Sequence, residues 1–149
     1  MKQMKKVFRC LLGVGLVVSA LTFMGCSSKQ DEVVGKWTLS KVMASEPGQA
    51  LQEKTKEENQ SLFGEGETYY SLNADQTAVQ TMADGTGAQV DYSGKWTKES
   101  DGSYRVEMDS LEAEVFTYNK SEDTLVREIK NDSADAQYAV IQFIYTRVK

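Results

Sequence analysis

The sequence predicts an all-β domain, an antiparallel up-and-down meander of about eight strands that forms a barrel or a half-open barrel. From Val33 onward, apolar and polar residues mostly alternate with period two, which is typical of strands with one buried face. Turn residues separate these stretches at short intervals. Such connections favour sequential antiparallel pairing, and closure of the sheet removes the exposed edges of a meander.

The alternating stretches follow one another with turn signals between them. VGKWTLSKV comes first and places Trp37 on the apolar face of a strand. TYYSL and TAVQTM are joined by the turn NADQ, and Asp84-Gly85 is a strong hairpin signal before QVDYSGKWTKE. The remaining strands are SYRVEMD, EAEVFTYNK, TLVREIK and YAVIQFIYTRV. The last is apolar on both faces from Ile141 to Tyr145, which suits a strand that is covered on both sides or closes the sheet.

One segment departs from this pattern. Residues 46–61, EPGQALQEKTKEENQS, contain the only proline of the chain and then a run of strong helix formers. Its apolar content is low, and Ala50 and Leu51 are the main candidates for burial. We therefore expect a short solvated helix or a long loop between the first two strands.

The N-terminal segment has the pattern of a secretory signal. Four basic residues and no acidic ones lie in the first nine positions, and an uncharged run of 14 residues, Leu11 to Met24, follows. A membrane-spanning helix requires about 20 apolar residues, so this run is short for one. The basic start, the short apolar middle and the small residue at the end indicate a signal peptide.

The sequence Phe23-Met24-Gly25-Cys26 resembles the lipobox of bacterial lipoproteins. Gly25 and Cys26 match that motif, whereas Phe23 stands where leucine is usual and Met24 where a small residue is usual. In that family the signal is cut before the cysteine, and the cysteine thiol carries a diacylglyceryl group. The alternative is an ordinary signal peptide or a membrane anchor with an incidental cysteine.

The lipobox resemblance implies a division of the chain into three parts. Residues 1–25 would be the lipoprotein signal peptide, 26–32 the lipidated N-terminus with a short tether, and 33–149 the β domain. The implied partner is a membrane, held through the two acyl chains on Cys26, which suffice for stable anchoring. The implied location is extracytoplasmic, on the cell membrane or the outer membrane.

The cysteine count agrees with lipidation. The chain has two cysteines, Cys10 and Cys26, and Cys10 lies within the predicted signal. Cleavage would leave Cys26 alone, so the exported chain could form no intramolecular disulfide. A single cysteine in an exported protein needs another use, and lipidation is one.

Composition also limits the chemistry of the protein. The chain has no histidine, which excludes a Ser-His-Asp arrangement and zinc sites made of cysteine and histidine. Removal of residues 1–25 would leave 13 basic and 22 acidic residues, a net charge of −9, which argues against nucleic-acid partners. Paired carboxylates remain available, but none lies in a recognisable motif. We therefore expect no enzymatic activity, no cofactor and no metal.

The Gly35-Lys36-Trp37 stretch, followed by a helix-like link and a meander, resembles the lipocalin-like domains. That resemblance implies that Trp37 packs across the closed end of a barrel and that a ligand, where one exists, enters the other end. Small lipocalin-like domains of bacterial lipoproteins often have a second Gly-x-Trp, here Gly94 to Trp96. They also often have an L-x-x-D-x-T hairpin, here Leu72 to Thr77.

Two functions remain open from the sequence. The first is the binding of a small apolar or amphipathic ligand, or another non-catalytic role in the cell envelope. The second is a protein-interaction module, such as an envelope-complex subunit or an inhibitor of an extracellular enzyme, with acidic turns at Asp84, Asp101 and Asp132. The favoured interpretation of these three aspartates is that they are turn residues in solvent. A set of aromatic residues either lines a ligand cavity or simply fills a small barrel: Trp37, Tyr70, Tyr92, Trp96 and Tyr104.

Overall fold

A computed structural model describes residues 30–64 and 66–149. The predicted signal, the lipobox, Cys26 and the first part of the tether lie outside the described residues. Residues 30–64 and 66–149 contain no helix that could span a membrane.

The described residues form nine strands and one short helix. In chain order these are β1 (Gly35–Ser45), β2 (Gln52–Lys54), α1 (Gln60–Phe63), β3 (Tyr69–Leu72), β4 (Thr77–Ala83), β5 (Gln89–Lys98), β6 (Tyr104–Met108), β7 (Glu114–Asn119), β8 (Thr124–Lys130) and β9 (Val140–Arg147).

Eight of the strands close into an antiparallel barrel. From β3 to β9 each strand pairs with the next along the chain, and β1 pairs with both β3 and β9. The short β2 is an additional strand beside the second half of β1. The predicted eight-stranded meander is thus confirmed, and the barrel is closed rather than half open. The last strand closes the sheet, as its apolar character on both faces had suggested.

The strand β1, which pairs with β2, β3 and β9, contains a β-bulge. The register against β9 shifts between Leu39 and Lys41, and the Ser40 hydroxyl donates to the Ile144 carbonyl at 2.9 Å. A bulge adds one residue and so changes which positions face inward. Trp37 before it and Val42 after it are therefore both buried.

The link between β1 and β3 differs from its prediction. It contains the strand β2 and, near its end, the four-residue helix α1, whereas Ala50 and Leu51 are exposed. The link is held instead by Tyr138 from the β8–β9 connection, whose hydroxyl donates to the Asn59 side chain at 2.5 Å. Long-range contacts of this kind are not visible in local composition.

The barrel has two different ends. The turns after β3, β5 and β7 lie at one end together with residues 31–34, and we call this the closed end. The link 46–68 and the turns after β4, β6 and β8 lie at the other, which we call the mouth. Val33 lies in the closed end with none of its surface exposed. The core extends from it through the barrel as one cluster of buried side chains.

Candidate functional site

Arg147 and Trp37 seal the closed end. The Trp37 indole is fully buried and donates to the Val33 carbonyl at 2.8 Å. The Arg147 guanidinium lies 4.2 Å from the centre of the Trp37 ring and donates to the carbonyls of Val34 and Glu32, each at 2.6 Å. A cation on an aromatic face that also binds backbone carbonyls fixes the incoming chain across the barrel. These contacts place residues 32–34 and Arg147 over the fully buried Trp37.

An ion pair completes the seal. The Arg147 Nε lies 3.0 Å from Asp123 Oδ2, and Tyr118 donates to the same carboxylate. Hydrogen bonds from Arg147 first, and from Tyr118 second, hold the pKa of Asp123 below its usual value, although burial opposes this. Sequence reasoning did not single out Arg147, although a cation at the end of an apolar last strand is a usable signal.

Trp96 holds a hairpin at the same end. Its indole donates to the Asn73 carbonyl and its backbone N–H to the Gln76 carbonyl, both at 2.9 Å. Both acceptors belong to the L-x-x-D-x-T hairpin between β3 and β4. The ring packs at 6.0 Å from that of Tyr104, whose hydroxyl donates to Asp31 at 2.8 Å. These contacts give Trp96 and Tyr104 a structural role.

A polar network, which we call the floor, crosses the middle of the barrel. The Gln80 amide donates to the Tyr70 hydroxyl at 2.7 Å, and that hydroxyl donates to Glu114 Oε2. Glu114 Oε1 lies 2.6 Å from Arg127 Nη1. Both carboxylate oxygens of Glu114 are thus engaged, which a buried charge requires. Arg127 keeps further N–H donors and has about a third of its side chain exposed.

Aromatic rings pack beneath the floor. Tyr70 contacts Phe116 and Tyr145 edge to face, with ring centres 5.2 Å apart in both cases. Burial, more than the neighbouring Tyr145 and Glu114, raises the pKa of Tyr70 far above its ordinary value. The Tyr70 hydroxyl therefore stays protonated and remains a donor to Glu114. This layer fills the barrel between the floor and the closed end.

Above the floor, the interior is lined by apolar side chains that keep contact with solvent. Strand alternation and cross-strand register place them on the inward face, since Met82 pairs with Val90 in line with buried Gln80, and Phe143 pairs with Arg127 in line with buried Leu125. All are partly exposed, Ile129 to 36%. We call this set the mouth ring: Met82, Val90, Tyr92, Ile129, Ile141 and Phe143.

The five aromatic residues singled out in the sequence do not form one cavity. Trp37, Trp96 and Tyr104 lie at the closed end, Tyr70 is part of the floor, and Tyr92 is in the mouth ring. The floor residues other than Tyr70 were missed, because a glutamate, an arginine and a glutamine in alternating strands are ordinarily solvent-facing.

The acidic turns have structural partners. The Asp84 carboxylate accepts from the backbone N–H of Thr86 at 2.8 Å and of Ala88 at 3.0 Å. Asp101 accepts in the same way from Ser103 at 2.9 Å. These hydrogen bonds, first those from the Thr86 and Ser103 hydroxyls, lower the pKa of both aspartates. Asp132 is exposed. Within 30–64 and 66–149, no three His, Cys, Asp or Glu side chains are grouped to hold a metal ion.

Solved structures of similar shape include the lobster apocrustacyanin A1, with 15% identity and a TM-score of 0.44, covering 83% of this chain and 64% of that one. H1 crustacyanin from the lobster Homarus americanus matches with 17% identity and a TM-score of 0.39, over 76% of this chain and 59% of that one. The chain thus spans less than two thirds of the length of either structure.

No curated protein matches it at a significant level. Residues 33–143 match the family described as the lipocalin-like domain. The protein therefore belongs to the lipocalin-like domain family, as the Gly35 to Trp37 motif had indicated.

Proposed function

We propose that the protein is a lipid-anchored extracytoplasmic lipoprotein that binds one small apolar or amphipathic molecule in the mouth of its barrel. The observation that carries the binding proposal is the mouth ring, a set of inward-facing apolar side chains that the protein itself leaves partly in water. The same strands bury their inward residues almost fully nearer the closed end, such as Ala78 on β4 and Leu125 on β8. The mouth half of the interior is therefore where a ligand would complete the packing.

The energetic reason is the hydrophobic effect. Removal of apolar surface from water contributes roughly 25 cal/mol per Å². When a ligand covers the mouth ring, this favourable free energy comes from the apolar surface of the ligand and from that of the ring. The floor would then meet the deeper end of the ligand with polar groups, as is usual in pockets that are mostly apolar with a few polar contacts.

Binding is testable on the domain Ser27–Lys149. The closed sheet and its core use residues 33–147, so this shorter chain retains the described barrel, and it contains no cysteine. N-phenyl-1-naphthylamine, an uncharged fluorophore, should bind saturably with increased emission. Val90→Lys should weaken this binding by about tenfold or more, because an ammonium in the mouth ring would be desolvated by the ligand.

Gln89→Lys is the matched control, since Gln89 is the exposed, outward-facing neighbour on the same strand. It should leave binding of the fluorophore unchanged. Solvent extraction of the purified domain followed by mass spectrometry should also recover co-purified small molecules. A domain that yields none and shows no saturable fluorescence change would refute ligand binding.

The anchor is testable by metabolic labelling of the full chain in a bacterial host. Radiolabelled palmitate should enter the wild-type protein and be lost in Cys26→Ala, because the thiol is the proposed acceptor. Cys10→Ala, the other cysteine, is the control and should retain the label. Equal labelling of the wild type and Cys26→Ala would contradict the lipoprotein proposal without bearing on the barrel.

The alternative of a protein-interaction module draws less support from its sequence features. Asp84 and Asp101 direct their carboxylates to their own turns, so these groups stabilise hairpins. A role in binding is likewise preferred to catalysis, because the polar groups at the centre of the barrel bind one another in a continuous network.

A further inference from the structure

The floor carries equal and opposite charges. Two of the floor side chains are charged, Glu114 on β7 and Arg127 on β8, and the other two, Gln80 and Tyr70, are neutral. The ion pair of Glu114 and Arg127, with 2.6 Å between Nη1 and Oε1, makes the floor electrically neutral. The Glu114 side chain is only 14% exposed, so solvent contributes little to this balance.

The groups of the floor that remain for hydrogen bonding to a ligand are mostly N–H donors. Glu114 accepts from Arg127 through one oxygen and from Tyr70 through the other, and Tyr70 accepts from Gln80. Arg127 has five N–H groups and uses its Nη1 on Glu114. Its guanidinium lies 5.7 Å from the ring of Phe143, which belongs to the mouth ring. A ligand in the mouth would therefore reach Arg127 first.

From this arrangement we infer that the mouth selects an uncharged amphipathic molecule whose head is a hydrogen-bond-accepting oxygen, such as an alcohol, ester or amide. The inference rests on the proposed ligand binding. A carboxylate would be drawn to Arg127 but repelled by Glu114 beside it, so its lost hydration would not be repaid. An ammonium would be drawn to Glu114 but repelled by Arg127, so its lost hydration would not be repaid either. A neutral oxygen can accept from Arg127 without disturbing the ion pair.

The test compares three ten-carbon ligands, 1-decanol, decanoate and decylammonium, as competitors of N-phenyl-1-naphthylamine on Ser27–Lys149 at neutral pH. The wild type should bind decanol about tenfold or more tighter than either ion. Simple partitioning into any apolar site also favours decanol, so the charge variants are the decisive part.

Glu114→Gln leaves Arg127 without its counter-charge and should improve decanoate binding, relative to decanol, by about tenfold. Arg127→Gln should do the same for decylammonium. The double variant Glu114→Gln/Arg127→Gln restores neutrality and should show the wild-type order of the three ligands. If partitioning alone set the affinities, all four proteins would rank the three ligands in the same order with the same affinity ratios. That result would overturn the inference.

A buried charge without its partner destabilises a protein, so either single variant could fail to fold. Thermal unfolding is therefore measured first. If one single variant is unfolded, the other decides by the same comparison. If both are unfolded, the wild type is compared on 1-decanol and decane, which partitioning alone would rank with decane tighter: tighter binding of decanol supports the inference, and tighter binding of decane overturns it. Preference of the wild type for an ion over decanol overturns it in every case. A wild type that binds the fluorophore but prefers an ion refutes the selectivity alone. A wild type that binds no fluorophore refutes the proposed function itself.

Discussion

The two Gly-Lys-Trp stretches require glycine for different physical reasons. Gly35 has a φ of +151°, and a Cβ there would lie 2.4 Å from the Arg147 guanidinium that seals the closed end. Gly94 lies where β5 and β6 approach closely, and a Cβ would lie 2.1 Å from the Glu107 carbonyl and 2.8 Å from the Cα of Met108. One glycine admits a side chain and the other admits a neighbouring strand.

Gly94→Ala should therefore destabilise the barrel by about 1–3 kcal/mol, the range for overpacking a closely packed site, because the neighbour that must move is backbone. Urea unfolding followed by circular dichroism measures the change. Gly85→Ala is the control, since nothing lies within 4 Å of a Cβ at Gly85 and its φ is not positive. If the Gly94→Ala protein is as stable as the Gly85→Ala protein, β6 can shift to accept the methyl group without a loss of stability, and the prediction is wrong.

The buried ion pair of the floor could not be predicted from either of its residues alone. Glu114 and Arg127 occupy inward positions of EVFTYN and TLVREIK, in step with buried Phe116 and Leu125. Charged residues are rarely buried unless paired, so each alone is ordinarily assigned to solvent. The two partners lie on different strands, and only the packing of β7 beside β8 brings them together.

At the scale of elements, alternation predicted most strands because a two-residue period is a local property. The bulge in β1 was not predictable, since Ser40 carries no local signal and the extra residue follows from pairing with β9. The strand β2 was missed for a similar reason. Its residues Gln52–Lys54 are polar and largely exposed, and Lys41 contacts Glu53 across the pair at 3.3 Å.

The closed end joins β9, the β7–β8 turn and the incoming chain through Arg147 and Asp123, and its stability should depend on pH. The pKa of Asp123 is lower in the folded state than in the unfolded chain, where it is near 3.9. The stabilisation is therefore complete above that value and is lost as the pH falls through the folded pKa, because the unfolded state takes up the proton first.

Asp123→Asn should consequently lower the free energy of unfolding at pH 7 by about 1 kcal/mol or less, since the Asp123 side chain is 48% exposed. The difference from wild type should shrink as the pH is lowered below the ordinary aspartate value of about 3.9. Glu122→Gln removes an acid from the same turn that does not bind Arg147 and serves as the control. A difference that persists unchanged at low pH would assign the effect to packing instead of charge.

On the scale of the whole molecule, the overall architecture was predictable and the functional interior was not. Eight alternating stretches with short turns are nearly sufficient to specify a closed meander. The division between a sealed half and a mouth depends on which inward residues meet one another across the barrel. Trp37 and Tyr92 have similar aromatic character in the sequence, yet one is fully buried at the closed end and the other lies in the mouth ring.

The chain also enters the barrel at the closed end, where Asp31 accepts hydrogen bonds from Tyr104 and Lys98. An anchor at Cys26 would lie five positions before Asp31, a reach of about 17 Å when extended. The closed end would then face the lipid surface and the mouth would face the surrounding medium. In that orientation the protein would collect its cargo from solution, or receive it from another protein, and would not extract it from the leaflet beneath.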